Sequence, residues 1–558
     1  MPRPTAILAF VAACATIARA EPLPFTISPQ TTVVVEQLTA DGFPDFEAYL
    51  LQRGRGGVTP ANNAAVLLWQ ALWPADLESA DRRPVLDALG MSTEPDRTKA
   101  LERLYDSRLL SEIADWLESS GHERADLRDD DHQSDDDFSE WDDEELPIEP
   151  PAAAVEVIDR ALDRPWTSVQ IPPLAAWLQR NDGAIETIVA ATQRPRYWSP
   201  PPESLNDYVD SLIYAQLNLA YVSRDAARAL SLRAMRHMGE GRLEAAWRDV
   251  LAILQLSEQI SQGPFVVDYL VGVAIRDVAC RAATVILHDE RLSETLTATI
   301  LTDLRALPPL APLVDRLDNE RLWAIEQAVF LATGQPNEIL NKGWAMDRIV
   351  DWDAVMLEIN GVYDRLVAAT RIADRDGRAI AIEDWDDEIE FRSERCHNAQ
   401  HALAIFFSRE HCTQMAADVI VAIMTPALGA AIKAQDRCET RESLTVVAAA
   451  LSVYRARHGA YPASLVYLAP EILPETPRDP YSNEPYRYER TIGGYLLYSV
   501  FENGVDDGGT DVRGEIVDGE WIDENEAPAE LDYLEETDLV IRVPMPAFAL
   551  PAPPADDD

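Results

Sequence analysis

Apolar positions recur along most of this chain with helical spacing, and change to alternation only near its C-terminus. The first apolar run, residues 6–18, follows Arg3 and ends in Ala18-Arg19-Ala20. A short basic start, an apolar stretch of that length and small residues at −3 and −1 predict a secretory signal peptide, cleaved after Ala20. Ala64, Ala65, Val66, Leu67, Leu68, Trp69, Ala71, Leu72 and Trp73 are apolar nearly all round, which predicts a buried helix that Pro74 ends. Leu243, Ala246, Trp247, Val250, Leu251 and Leu254 fall on one continuous helical stripe. Residues 419–432 are the most apolar later run. Bounded by Asp418 and Lys433 and containing Pro426, they suit a core helix better than a bilayer crossing, and no transmembrane span is expected.

From Glu442 the character changes. Leu444, Val447, Ala448, Leu451 and Tyr454 predict an amphipathic helix that stops at His458-Gly459, with Gly459 suited to a left-handed cap. Residues 486–489 and 495–500 alternate and are β-rich, with Gly493-Gly494 between them, a β-hairpin signal. A further strand is expected at residues 539–543, in reach of the hairpin. The fold class that follows is mainly α, an irregular helical bundle or solenoid, with a small C-terminal α+β domain. The expected divisions are a signal peptide (1–20), an N-terminal helical region (21–125), an acidic disordered linker (126–150), a helical domain (151–436), the α+β domain (437–545) and a disordered tail (546–558).

Composition sharpens this picture. The chain has 558 residues, with 96 acidic side chains against 48 basic ones, a formal net charge of −48. That balance argues against a general nucleic-acid binder, whose phosphate-tracking surface is basic. Between Asp126 and Glu149, thirteen of 24 residues are acidic and only Arg128 is basic, so the segment repels itself and reads as a solvated linker. Its Asp runs lack the glycine turn and spacing of an EF-hand loop. Trp166, Trp177, Trp198, Trp247, Trp323, Trp344 and Trp352 read as core anchors of the helical block.

Five cysteines are present. Val11-Ala12-Ala13-Cys14 gives an alternative start in which Cys14 carries a lipid anchor. Either way the chain is expected to be exported, to the periplasm, the cell envelope or the exterior. Cys280, Cys396, Cys412 and Cys438 are then an even set in an oxidising compartment. They allow three fully paired arrangements, with free buried thiols as the alternative. His397, His401 and His411 crowd one segment beside Cys396 and Cys412. At i, i+4, His397 and His401 share a helix face and have metal-ligand spacing; the bland reading is an apolar core flanked by hydrogen-bonded histidines. No G-x-S-x-G, H-E-x-x-H, C-x-x-C or P-loop pattern occurs.

Two resemblances enter here. Residues 226–238 and the 243–254 stripe, joined through Gly239-Glu240-Gly241, form a helical hairpin that resembles one tetratricopeptide unit, without a second copy in register. The C-terminal region resembles the globular head of the major pseudopilin of type II secretion. The residues that carry this are Leu451-Ser452-Val453-Tyr454-Arg455-Ala456-Arg457-His458-Gly459-Ala460-Tyr461-Pro462, then Asp479-Pro480-Tyr481-Ser482-Asn483-Glu484-Pro485-Tyr486-Arg487-Tyr488, then Tyr498-Ser499. They lead into Glu502-Asn503-Gly504-Val505-Asp506-Asp507-Gly508-Gly509-Thr510-Asp511, the place where that family binds calcium. The resemblance implies a calcium loop here, with Asn503, Asp506, Asp507 and Asp511 as ligands. In this chain residues 21–418 and a different signal precede the stem-like stretch, and the stem's N-terminal Glu is missing. The resemblance thus implies the head on a large exported bacterial helical protein, not a filament subunit.

The function expected from this reading is a non-catalytic interaction or scaffold protein, exported, with a protein partner, no nucleic-acid partner and a calcium-binding head. The alternatives are an envelope hydrolase with its pocket in the helical domain and a secretion-machinery subunit.

Overall fold

The computed structural model describes residues 23–73, 79–120, 152–200, 211–334, 350–397, 408–425, 428–509, 516–517, 520–521, 538–545 and 547–550. The signal peptide with Cys14, the acidic segment 126–150, Trp344, His401, Pro426, Asp511 and residues 551–558 lie outside the described residues, as does the side chain of His397.

The chain is mainly helical. Helix α1 spans Phe46–Gly54, α2 Ala64–Leu72, α3 Ser79–Ala88, α4 Ser107–Ser119, α5 Ala152–Asp163, α6 Pro172–Thr192, α7 Ser211–Gly239 and α8 Leu243–Ser261. There follow α9 (Val266–Leu287), α10 (Glu294–Ala306), α11 (Leu313–Thr333), α12 (Trp352–Thr370), α13 (Arg375–His397), α14 (Arg409–Met424) and α15 (Leu428–His458). Strands β1 (Arg487–Thr491), β2 (Gly494–Ser499), β3 (Ile516–Val517), β4 (Glu520–Trp521) and β5 (Leu539–Val543) close the order.

Local chemistry sets several of these ends. Asn63 caps α2, its Oδ1 accepting the Ala65 N–H at 3.1 Å and the Trp198 N–H at 2.9 Å. The helix stops at Leu72, and Trp73, the residue before Pro74, leaves helical geometry at φ +32°. The α7–α8 hairpin forms as its stripe predicts, with Gly241 at φ +78° in the turn. Gly239 has no alternative, because a Cβ there would fall 2.0 Å from the Trp166 carbonyl oxygen.

Two hydrophobic cores result. The first gathers α2–α10, the second half of α15 and the β1-β2-β5 sheet. The second gathers Phe25, Val34, Phe46, the start of α9, α11–α14 and the first turns of α15. The N-terminal region expected over 21–125 is therefore divided. Residues 26–31 meet α12, where Asn360 Nδ2 donates to the carbonyls of Gln30 and Thr31 at 3.0 Å each, while α2 packs on α6. Of the tryptophans expected as anchors, Trp166 and Trp177 are fully buried, and Trp247 is buried with Nε1 donating to Asp303 at 2.8 Å.

The boundary expected between residues 436 and 437 falls inside α15, a continuous helix. Its residues 447–451 are buried on all sides because α9 and α10 cover one face and the sheet the other. Each large aliphatic side chain among them contributes about 1.5–3 kcal/mol of burial. Ser452 Oγ donates to the Leu287 carbonyl at 2.6 Å, and Arg455 Nη2 to the Asp289 carbonyl at 2.9 Å. The head is built into the helical block, not set beside it.

The sheet is antiparallel, ordered β1-β2-β5, with Tyr488 opposite Leu497 and Leu497 opposite Ile541. Tyr495 and Leu497 face α15; Leu496 and Tyr498 face outward. Beyond β5, Phe548 and Leu550 pack on the first core and the Ala549 carbonyl accepts Arg160 Nη1 at 3.0 Å, so part of the expected tail is docked. Of the apolar run 419–432, Ile420 and Val421 sit in the second core, and three-quarters of the most apolar window of this stretch is buried.

Cys280, Cys412 and Cys438 are buried and Cys396 half-buried, and none of the disulfide arrangements is formed among them. Register explains one pair. Cys280 is level with Thr445, seven residues along α15 from Cys438. Two helical turns are about 10 Å, beyond disulfide reach.

Candidate functional site: the acidic loop on the sheet

The loop leaves β2 at Val500 and is anchored before it begins. Asp479, 1% exposed, accepts Ser499 Oγ (2.8 Å) and the Tyr481 N–H (3.0 Å) on Oδ1, and the Val500 N–H (3.0 Å) on Oδ2. One buried carboxylate thus pins the 479–485 turn to the end of β2, which gives the quoted Asp479-Pro480 motif a structural reason.

The loop then folds over the outer face of the sheet. Gly504, Gly508 and Gly509 all have positive φ, and a Cβ on Gly509 would fall 2.8 Å from Leu496 Cδ2. Asn503 Oδ1 accepts the Val505 N–H at 2.9 Å, an Asx turn, and its Nδ2 donates to Asp507 Oδ2 at 3.0 Å. Asp506 Oδ1 accepts Tyr498 Oη (2.7 Å) and the Gly508 N–H (3.1 Å), and its Oδ2 accepts Arg487 Nε (3.1 Å). The Tyr498 hydrogen bond is the main reason the Asp506 carboxyl is held below the usual carboxylate range. Tyr498 is pushed up to about 12, by burial first and then by Asp506.

From the other side comes Asp538, at the entry to β5. It is 2% exposed; Oδ2 accepts the Gly509 N–H at 2.7 Å, while Oδ1 is buried without a well-formed hydrogen bond, the Asp507 N–H also favouring the ionised carboxyl. Burial, and after it the charges of Asp507 and Asp506, push this carboxyl up to about 6. Arg542 Nη2 closes the ring by donating to the Gly509 carbonyl at 3.0 Å.

The structure thus brings Asn503, Asp506 and Asp507 into one loop, with Asp511 outside the described residues. Asn503 Oδ1 and both Asp506 oxygens accept donors from the chain itself. Among the described residues no three His, Cys, Asp or Glu side chains are gathered closely enough to hold a metal ion. In the histidine segment His411 is exposed and Cys412 buried, while His401 and the side chain of His397 lie outside the described residues. Sequence reasoning missed Asp538, which sits one residue before an apolar strand run, and the clamp role of Arg487, which is set by cross-strand register.

Two grooves open among the described residues of the helical block. One, about 380 Å³, lies between α10 and α15 with Leu301, Arg305, Val453 and Arg457 in its wall. The other, about 500 Å³, lies between α12 and α14, where Glu358 is paired with Arg392 and Asp351 with Arg409. Glu358 and Asp351 are thus tied to guanidiniums, and Glu410 lines the same groove.

Comparisons with models of protein families, with curated proteins and with solved structures found no match.

Proposed function

We propose that the protein is an exported, non-catalytic interaction scaffold whose pseudopilin-like head carries a calcium-responsive loop. Export rests on the signal-like residues 1–20. The single observation that carries the loop reading is Asp538: a buried carboxylate with one oxygen lacking a well-formed hydrogen bond, beside Asp506 and Asp507. Burying such an oxygen costs free energy unless a donor or a cation meets it. Calcium takes six to eight hard oxygens, and Asp538, Asp507 and Asp506, with Asn503 and Asp511 from the sequence reading, are of that chemistry. Arg487 holds one charge of Asp506 in the absence of metal, and an incoming cation competes with it. A calcium ion would supply charge neutralisation and order there. The chain's own residues fix the path of the loop: Asp479 at its start, Gly509 and Arg542 at its end.

Because α15 joins head and helical block, the test uses the full chain. Thermal melting with calcium and with chelator should differ, since a ligand bound only by the folded state stabilises it by RT ln(1 + [L]/Kd), about 2.7 kcal/mol at a hundredfold excess over Kd. Asp538→Asn should abolish the difference. Identical melting curves for the parent chain in calcium and in chelator would remove the metal part of this reading.

A further inference from the structure

The turn between α8 and α9 carries the chain from the first core into the second. Gly263 in this turn lies so close to Asp268 that a Cβ would fall 2.3 Å from its Cγ. Asp268 Oδ2 accepts the Phe265 N–H at 3.1 Å, and Glu320, reaching across from α11, accepts the next N–H, that of Val266, at 2.9 Å. Two carboxylates, one from each side of the junction, thus sit on adjacent N–H groups at the start of a 22-residue helix. Two more α11 side chains clasp the same turn: Arg316 Nε donates to the Gly263 carbonyl at 3.0 Å and Asn319 Nδ2 to the Pro264 carbonyl at 2.6 Å.

Glu320 is 6% exposed. Among the described residues neither carboxylate has a Lys, Arg or His nitrogen within 4.0 Å. Arg316, the cation facing Asp268, spends its guanidinium on the Gly263 and Pro312 carbonyls and on Asp315. Tyr363 of α12 faces Glu320 with a buried hydroxyl that has no hydrogen-bond partner, and Arg321 beside it is paired with Asp318 and Asp364. Tyr269 of α9 faces Arg316, Tyr197 faces Asp268, and Arg53 of α1 reaches Asn319 and Asp315.

We propose that this turn is a proton-sensitive joint between the two cores, tightened when Asp268 and Glu320 share a proton load and loosened when both are ionised. The helix end favours one negative charge there. A second, in a site with no facing cation to spare, is repelled by the first.

The titration agrees in direction. Burial pushes both carboxyls up to about 7, and for Glu320 the charge of Asp268 adds to it. Their ordinary values are 3.8 and 4.5, so between those and about 7 the closed joint binds more protons than the open one. Stability from these groups is therefore full at the acid end, falls as pH rises toward 7 and is flat above it.

Hydrogen exchange of the full chain tests this, read as protection factors with the intrinsic rates divided out. Peptides covering residues 262–270 and 316–322 should lose about tenfold or more in protection between about pH 5.5 and about pH 8, while peptides of α2 and α6 keep theirs. Glu320→Gln, which retains an acceptor for Val266, should remain protected at the higher pH. Equal protection at the two pH values, an equal fall throughout the chain, or an unchanged fall in Glu320→Gln would each overturn the proposal. Should that variant fail to fold, the wild-type profile with its α2 and α6 references decides alone.

Discussion

The two cores treat buried charge differently. In the first, Asp249 of α8 is 0% exposed and receives both Nε and Nη2 of Arg233, at 2.9 and 2.7 Å. Glu442 is likewise met by the buried Arg276, whose Nε donates to Ser257 at 2.6 Å. Around the second core, Glu320, Asp268 and Glu326 are pushed up to about 7 by burial, the first two resting on backbone N–H groups and the third facing Glu47 and Asp45. Asp418, held by Arg392 at 3.0 Å and Arg395 at 2.7 Å, shows that the second core also pairs acids where its geometry is fixed. Both cores are largely helical and apolar; what separates these helix-borne sites is whether a guanidinium was placed beside the buried acid, for Asp479 and Asp538 by the sheet of the first core also rest on backbone N–H groups. Paired acids make a region brittle to substitution. Unpaired ones make it responsive to pH.

The largest effect expected is at the pair. Arg233→Ala removes both hydrogen bonds to the buried Asp249, leaving as its guanidinium contact only Arg248, at 3.8 Å, and should lower stability by about 3–5 kcal/mol in denaturant unfolding. A loss near zero would mean that the pair is no more than decoration. Next, Leu451→Ala, in the part of α15 between α9 and the sheet, should cost about 2–5 kcal/mol, with lost protection in α9 as well as in the head. Glu320→Gln should act in the opposite direction, raising stability at pH 8 by about 1–3 kcal/mol and by much less at pH 5, because only the ionised carboxylate is penalised. A destabilised variant at pH 8 would show that Glu320 is held by interactions stronger than its one N–H donor. The smallest is Asn63→Ala at the cap of α2, about 1 kcal/mol from the melting midpoint.

Much of this architecture was legible along the chain, for identifiable reasons. The α2 run, the α7–α8 stripe, the helix ending at His458 and the hairpin around Gly493-Gly494 are local patterns, and a local pattern is visible in a window of a dozen residues. Continuity of α15 was not legible. Residues 433–443 are polar and charged and read as a border, yet Cys438, Thr440 and Arg441 are buried because α9, α13 and β5 meet over them. Arg441 Nη1, for one, reaches the Val540 carbonyl at 3.2 Å across 99 residues. The same limit applies to the loop. Asn503, Asp506 and Asp507 lie within five residues of each other, whereas Asp538 and Arg487 join them only through strand pairing. The separation of Cys280 from Cys438, too, follows from helix register and not from an even count.

Above all, the C-terminal sheet region and the helical block form one folded body through α15. Hydrogen exchange across the parent chain measures this directly, by comparing α9 residues 280–287 with α15 residues 445–453 and strand β2. These three segments should open together, with matching protection and one shared response to denaturant. Release of β2 and the second half of α15 at a lower denaturant concentration than α9 would contradict it.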